Sequence, residues 1–513
     1  MPAVSKAPRS SLALIALAVG EFLVGLDLES MSVALPSIQR EFGVGMMQLQ
    51  WAVMAYMVAG AAVAVPFGAV GDKIGRRRLY LIGTATFAVG SAISALAPSM
   101  AFLILGRTVQ GVGGGAMGTL ALAMLVASVP HDGIPKMIGL WTAITAGSSA
   151  VGPLIGGALV TAAGWRWVFG INVILISLVI PLVLREVTRD TPSVDDARRV
   201  DVVGTGLITA SLILIAGGLS LLENFRLSDP QVYVPLILGL LVVAVLSWQQ
   251  RHAKVPLTDW KALGIAPIPA TLILLVILSM VLAGALLQVS MVVQNVLGFT
   301  PLLAGAVTFG SSAMLVVLSP VSPKVMGRIG LGPTAGLGLL LAAAGLVGMS
   351  SMNAESGAWF VGGCYTVMGA GFALAMPAVS AGAMSAVPQS LVGAVSGFMS
   401  LIGMVAAVLG IAVLGALSAF QVAKAWVSTS SDIANSSALT SKVVSGAIPE
   451  LRTSYGDSTA NVAAQAYVVG VTDALRIASV GVALAGIISI PLLGNRGRKA
   501  RTVNETATAT TGV

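Results

Sequence analysis

Apolar runs of roughly twenty residues follow one another from end to end of the chain, separated by short polar or basic joints. A run of that length crosses ~30 Å of hydrocarbon as a helix. The pattern predicts helices over 11–36, 48–70, 79–98, 101–127, 136–162, 167–185, 203–222, 232–248, 268–294, 301–322, 335–352, 358–385, 391–417 and 470–493. The expectation is an all-α polytopic membrane protein with fourteen transmembrane helices. The ~10-residue alternating segments of a membrane β-barrel do not occur. No polar stretch is longer than the 418–469 connection, so no separate soluble domain is expected. Within that connection 433–447 reads as a short surface helix without chemistry of its own. The C-terminal TVNETATATTGV reads as a polar, unstructured tail. The first apolar run is too long for the core of a signal peptide and carries acids, so it is read as helix 1.

Composition agrees with the pattern: 56% of residues are hydrophobic and 9% charged, against about 25% charged in soluble proteins. The net charge of +8 changes the picture only through its distribution. With the N-terminus inside, 20 of the 28 basic residues fall on the inner side and 7 on the outer, leaving Arg107 within helix 4. Cytoplasmic loops carry such an excess, so both termini are expected in the cytoplasm, and the basic joints face anionic head groups rather than nucleic acid. Cys364 is the only cysteine, which excludes a disulfide framework.

A weak repeat organises the chain. GAVGDKIGRRR (68–78) follows helix 2, and PVSPKVMGRIG (320–330) follows helix 10; aligned without gaps, Gly75-Arg76 falls on Gly327-Arg328. Such echoes point to two related six-helix halves, a build common among secondary transporters. The predicted division is 1–190 for the first half and 191–262 for an inserted pair, helices 7 and 8. The second half follows over 263–495, with 496–513 as a cytoplasmic tail.

Helix 1 holds three acids, Glu21, Asp27 and Glu29, the last two in GLDLESMSVALP (25–36). An acid at a bilayer centre costs about 2.5–3.5 kcal/mol on insertion scales, so it should face a cavity or a partner. At ~100° per residue, Asp27 lies about 160° from Glu29 and about 120° from Glu21, so one narrow face cannot hold all three. Asp27 and Glu29 are therefore expected to serve different surroundings, one the central cavity and one a neighbouring helix. The alternative for either is a place at the wet outer end. At ~1.5 Å per residue Glu29, Asp27 and Arg107 lie roughly 10, 13 and 9 Å below the outer ends of helices 1 and 4. Burial favours a carboxyl's neutral form and a nearby arginine its charged form, so movement of Arg107 relative to an acid would switch its affinity for a proton. Arg107 alternatively bonds only backbone carbonyls.

Several motifs resemble the major facilitator superfamily, and within it the fourteen-helix drug:proton antiporters. GAVGDKIGRRR is similar to the loop after helix 2, with Gly68, Asp72, Gly75, Arg76 and Arg77 in register. RTVQGVGGGA (107–116) is similar to the helix 4 motif, and GSSAVGPLIGG (147–157) to the helix 5 antiporter motif, through Gly147, Gly152, Pro153, Gly156 and Gly157. LDLESMSVALP (26–36), QWAVMAY (50–56) and GWRWVFGINV (164–173) also resemble that branch. The chain departs from it at Glu29, usually Thr, at Ser32, usually Asn, and at Ile174, usually Pro. The resemblance implies export driven by inward proton flow, with helices 1 and 4 close together and helix 5 marking an exporter. It does not identify the cargo.

The expected proton-coupling residues are Asp27, Glu29, Arg107 and Glu21. Gly68, Asp72, Gly75, Arg76 and Arg77 are expected to form a cytoplasmic latch, the alternative for the arginines being purely topological charge. Gln288, Gln294, Trp51 and Tyr56 are weaker candidates for substrate contact, beside a polarizable wall that includes Met280 and Met291. Helices 9–13 carry no acid or base in their cores, and His131 and His252 fall in loops, so no intramembrane histidine relay exists. GVGGGAMG follows no strand and lies in an apolar helix, which excludes a nucleotide loop. The small residues instead allow close helix packing. The function expected is proton-coupled export of lipophilic, cationic compounds, by a monomer in a bacterial cytoplasmic membrane. No cofactor or metal is expected, the proton being the coupling ion, and the partners are a small-molecule substrate and the lipid bilayer, not nucleic acid. The rivals are an exporter of one endogenous metabolite or lipid, a channel or sensor, and a membrane enzyme, for which His131-Asp132 is the only candidate pair.

Overall fold

The computed structural model describes residues 11–127, 134–187, 201–223, 225–253, 268–384, 392–430, 433 and 436–510. The described residues form helices and no strand. In order these are α1 (Ser11–Phe42), α2 (Met46–Ile74), α3 (Arg76–Ala95), α4 (Met100–Ala127), α5 (Ile134–Ala163), α6 (Arg166–Glu186), α7 (Val202–Ser220) and α8 (Pro230–His252). There follow α9 (Ile268–Asn295), α10 (Pro301–Leu318), a short α11 (Ser322–Ile329), α12 (Leu331–Met349), α13 (Ala358–Met384), α14 (Val392–Thr429), α15 (Ser436–Val444) and α16 (Ile448–Thr510). Eleven of these are long and apolar enough to cross a membrane. Three other long helices are α1, with its acids, α3, which opens on three arginines, and α5, apolar over Gly147–Ala163. The protein is a multi-pass membrane protein.

Local chemistry sets the helix ends. Asp201 caps α7, accepting from Gly204 N at 2.8 Å, and Thr300 caps α10 just before Pro301. Gly75, at φ 98°, closes α2 and opens α3 in one residue, a backbone state that a side chain would strain. Its counterpart is Gly330, at φ 91°, between α11 and α12. The repeat is therefore in register at Gly75 and Gly330, three residues from the ungapped alignment, and Gly327 lies inside α11.

α1 packs on α5 and α6, while α2, α3 and α4 pack together and α6 joins them through α3. On the other side α9 packs on α14, and α12, α13 and α16 form a second group. The two sides meet where α5 lies on α10, α2 on α14 and α1 on α9. α7 and α8 pack on each other, and α7 also touches α2 and α14. The far face of α8 exposes Leu240, Leu241, Val245 and Trp248, which suits lipid.

The 418–469 connection is not an idle surface loop. α14 continues to Thr429, and α16 begins at Ile448 and bends at Gly456, where φ is 85°. Between them α15 buries Leu439, Val443 and Val444 against the buried Trp426, whose Nε1 donates to Ser436 O at 2.8 Å. Lys442 Nζ donates to Glu450 Oε1 at 2.7 Å, and this bond and the carboxylate's charge raise the pKa of the ammonium. The expected surface helix is thus a packed wedge, because every third or fourth residue of 436–451 is apolar. The C-terminal segment expected to be unstructured is helical to Thr510, with no Gly or Pro between Gly497 and Gly512 to interrupt it.

Candidate functional site

The three acids of α1 enter three environments. Asp27 faces α4 and α6 and is fully buried, as is its ion-pair partner Arg107. Gln110 Nε2 and Asn172 Nδ2 each donate to Asp27 Oδ1 at 2.8 Å, and Arg107 Nη1 donates to Oδ2. Arg107 also donates from Nε to Ala52 O at 3.1 Å and from Nη1 to Gln110 Oε1 at 2.8 Å. Its guanidinium lies 4.4 Å from the Tyr56 ring centre and 5.6 Å from that of Phe169, positions in which the ring faces attract a cation. Gln110 reaches on to Ser91 Oγ at 2.9 Å. Three donors thus converge on this carboxylate, one of them the desolvated arginine.

Glu29 faces the other way, into a cavity of about 250 Å³ between the two sides of the molecule. It accepts a hydrogen bond from Ser149 and is the only charged side chain in the lining among the described residues. The rest of the wall is apolar, with the hydroxyls of Ser279, Thr308, Ser311, Ser312 and Tyr365 on its far side. The Tyr365 hydroxyl is buried without a hydrogen-bond partner among the described residues. The division of Asp27 and Glu29 between a helix neighbour and a cavity is the one their angular separation on α1 requires. Glu21 lies a turn and a half from Asp27, half-buried, with Thr145 Oγ1 at 3.4 Å from its Oε1.

The helix 5 glycines set how closely α5 approaches its neighbours. A Cβ at Gly152 would stand 2.6 Å from Glu29 Cβ, and one at Gly156 2.6 Å from Ser30 Cβ. Ser30 Oγ donates to Gly152 O at 2.8 Å. On the opposite face Gly157 lies against Pro301 and Leu302, and Gly305 of α10 lies against Pro153. α5 thus touches α1 and α10 at once, backbone to backbone. Gly147 has open space around its Cα.

At the end of α1 nearest Phe42 the two sides are tied together. Gln39 Nε2 donates to Ser445 O at 2.6 Å, and Asn295 Nδ2 donates to Gln39 Oε1 at 2.8 Å. Ser290 Oγ donates to Ser32 O at 2.7 Å, and Gln294 Nε2 to Val33 O at 3.0 Å. Gln294 therefore joins α9 to α1. Neither it nor Gln288, Trp51 or Tyr56 lines the cavity; Tyr56 belongs to the Arg107 cluster, and Trp51 packs towards Gly217 of α7. At the opposite end Arg76 Nη1 donates to Ala123 O at 3.4 Å and Arg77 Nη2 to Leu184 O, closing the last turns of α4 and α6. Gly68 lies beside Thr119. The Asp72 side chain and His131 lie outside what is described.

Asn172 and Ser91 escaped the reading of the sequence as site residues. Asn172 carried a signal, a lone amide in the apolar run of helix 6. Ser91 carried none, since serines are common in these helices, and the hydroxyls lining the cavity are unmarked for the same reason.

The family described as Major Facilitator Superfamily matches residues 17–411. The chain is 32% identical over 411 residues to the tetracenomycin C resistance and export protein of Streptomyces glaucescens, covering 80% of this chain and 76% of that one. It is 32% identical over 418 residues to multidrug resistance protein Stp of Mycobacterium tuberculosis, covering 81% and 76%. It is 31% identical over 432 residues to the drug efflux pump JefA of the same organism, covering 83% and 84%. Among solved structures it is similar to a bacterial homologue of the human lysosomal transporter Spinster in an inward-facing, unoccupied conformation. That match has a TM-score of 0.66 and 14% identity over 95% of this chain and 98% of the other.

Proposed function

We propose that this chain, which belongs to the Major Facilitator Superfamily, is a proton-coupled exporter of lipophilic, cationic compounds that works by alternating access. Membership makes it a transporter and removes the membrane-enzyme alternative. The observation that carries the finer reading is the pairing of one carboxylate, Glu29, in an otherwise uncharged cavity with a second, Asp27, bound to a buried arginine nearby on the same helix.

The two acids divide the work. Glu29 meets the cation, and the apolar wall takes the lipophilic body. Protonation of Asp27 removes the charge that holds Arg107, Gln110 and Asn172, so α1 loosens from α4 and α6. α1 also carries Gln39, Ser32 and Val33, whose bonds close the Phe42 end. A proton at Asp27 and a cation at Glu29 thereby act on one rigid element. The close contacts of α5 with α1 and α10 make it a pivot rather than a slack connection.

The fourteen long helices are read as fourteen spans, in two six-helix halves with α7 and α8 inserted. Both termini face the cytoplasm of a bacterial cell, as the basic joints favour, and the protein acts as a monomer. The conformation is then closed on the outer side. The Gly68–Arg77 latch would engage in the opposite state, with the cytoplasmic ends of the helices drawn together. An exporter dedicated to one compound is the second reading, favoured by the resemblance to a relative named for tetracenomycin C.

The test is ethidium-driven proton movement in proteoliposomes under an imposed pH gradient, comparing wild type with Asp27→Asn and Glu29→Gln. Coupled movement in the wild type, lost in an Asp27→Asn that still binds ethidium, supports the reading. Glu29→Gln should weaken ethidium binding about ten- to hundredfold, the worth of a charge-assisted contact of about 1.5–3 kcal/mol. Equal coupling in all three would refute the roles given to both acids.

A further inference from the structure

One stripe of α4 meets buried oxygens at three successive turns. Gln110 bonds Asp27. One turn on, Gly114 faces Tyr56 Oη, and one turn further Gly118 faces Glu21 Oε2, which lies 3.5 Å from where a Cβ of that residue would stand. Beside Glu21 on α1, Gly20 leaves the space into which Tyr80 Oη projects. Tyr56, Tyr80 and Glu21 Oε2 share one property: each of these oxygens is buried and has no hydrogen-bond partner among the described residues. Tyr56 is 6% exposed and Tyr80 0%.

Orphaned buried oxygens are costly, and proteins satisfy them with water where polar groups converge. The spacing here suits water. Successive positions on the stripe are separated by about one helical pitch, ~5.4 Å, close to the span of two hydrogen bonds of ~2.8 Å through one oxygen. Glycine at 114 admits the Tyr56 hydroxyl against α4, and glycine at 118 leaves Glu21 Oε2 without a side chain in front of it. The stripe also has a direction. It starts at the sealed Asp27–Arg107 pair and ends at Glu21, whose other oxygen meets Thr145 of α5. Among the described residues Gly118 of α4 and Thr145 of α5 lie at the Glu21 carboxylate, with Tyr80 of α3 and Met117 of α4 beside the adjacent Gly20. None of these brings a fixed charge.

We propose that the Gln110–Gly114–Gly118 stripe holds a file of bound water through which Asp27 and Glu21 exchange a proton, with Glu21 as the station opening towards the N-terminal end of α1. The step balances as a proton transfer. The O–H bond of a protonated Asp27 breaks and a new O–H bond forms on the Glu21 carboxylate, while water and the Tyr56 hydroxyl each accept one proton and pass one on. No electrons change hands. Glu21 then releases the proton to solvent on the side opposite the Phe42 end. The proposal rests on the proton-coupled reading above and assigns Glu21 a role distinct from that of Glu29, since Glu21 never meets the cargo.

The experiment uses the full chain in proteoliposomes with ethidium, reading three quantities: binding affinity, substrate counterflow without a proton gradient, and proton-driven transport. Glu21→Gln should bind and exchange ethidium as the wild type does, while proton-driven transport falls on the order of a hundredfold, within the range for loss of a positioned proton-transfer group. Gly118→Leu, which fills the gap, should reproduce that pattern, and Tyr56→Phe should slow proton-driven transport without abolishing it. Wild-type proton-driven rates in Glu21→Gln would overturn the proposal. So would a parallel fall in counterflow, which would mark Glu21 as structural. A wild type that moves ethidium without protons would instead overturn the coupled reading itself, and so separates the two failures.

Discussion

Replacing Asp27 by Asn should destabilise the protein far more than the loss of one oxygen's charge on the surface would. Asp27 and Arg107 are both fully buried, and three side-chain donors converge on the carboxylate. An asparagine turns one acceptor into an amide NH2, itself a donor, that faces those donors. It also leaves Arg107 without a counter-charge, and an arginine cannot shed its proton to escape. Removing one partner of a buried pair costs about 3–5 kcal/mol. Loss of two charge-assisted bonds at about 1.5–3 kcal/mol each gives a similar figure. Arg107→Met should cost less. The carboxyl it strands keeps its bonds from Gln110 and Asn172, and it can take up a proton to become neutral. The double variant, Asp27→Asn with Arg107→Met, should recover most of the stability lost by Asp27→Asn, because the uncompensated charge is gone. Transport would not recover. Unfolding in mixed micelles of increasing SDS fraction, followed by tryptophan fluorescence, measures all three. The reasoning fails if Asp27→Asn lies within about 1 kcal/mol of wild type, the scale of an exposed pair. Ala52 O, Gln110 and the rings of Tyr56 and Phe169 would then suffice to hold Arg107.

Two further outcomes follow from the packing. Gly157→Leu places a side chain where α5 meets the α10 backbone at Pro301 and Leu302; overpacking of about 1–3 kcal/mol is expected, with transport lost while ethidium still binds, and wild-type transport would show that this contact is not a pivot. Gln39→Ala removes its bonds with Ser445 and Asn295, at about 1 kcal/mol each, so cysteines placed on either side of the Phe42 end should spend more time apart in spin-label distance measurements; an unchanged distance distribution would mean that the closure lies elsewhere.

The all-helical, membrane-spanning build was legible because each helix must satisfy its own backbone in lipid, whatever its neighbours do. Their ends were legible only where local chemistry sets them. Pro36 reads as a terminus, yet α1 runs on to Phe42. The extra turns are held by contacts invisible along the chain: Gln39 to Ser445 and Asn295, Trp165 Nε1 to Glu41 at 2.7 Å, and Phe42 against the Trp165 ring at 5.6 Å. α14 overran its prediction by twelve residues, from 417 to Thr429, because its final turns bury Trp426 against α15. The repeat was misaligned by three residues for a related reason. Identity at Gly-Arg pairs says nothing about which glycine bends the backbone, and Gly330 does so.

The site divides along the same line. What a single helix dictates was readable: two acids about 160° apart on one helix cannot share a surrounding; that Arg107 stands beside one of them followed only from the resemblance, which implies that helices 1 and 4 are close. What arises between helices was not. Asn172 completes the Asp27 shell from α6, 145 residues away in the chain, and no spacing rule connects them. The two orders of information meet on α1. Because Asp27 and Glu29 point in opposed directions from one rigid rod, a change at either acid is a force on the same body. On the proposed reading, a proton that loosened the Asp27 side and a cation that gripped the Glu29 side would bias the same tilt of α1, so coupling would need no wire between the acids. Two acids on separate helices would need one. A single helix bearing both is the smallest device that makes binding of each depend on the other, which is the physical reason for placing such costly residues two positions apart.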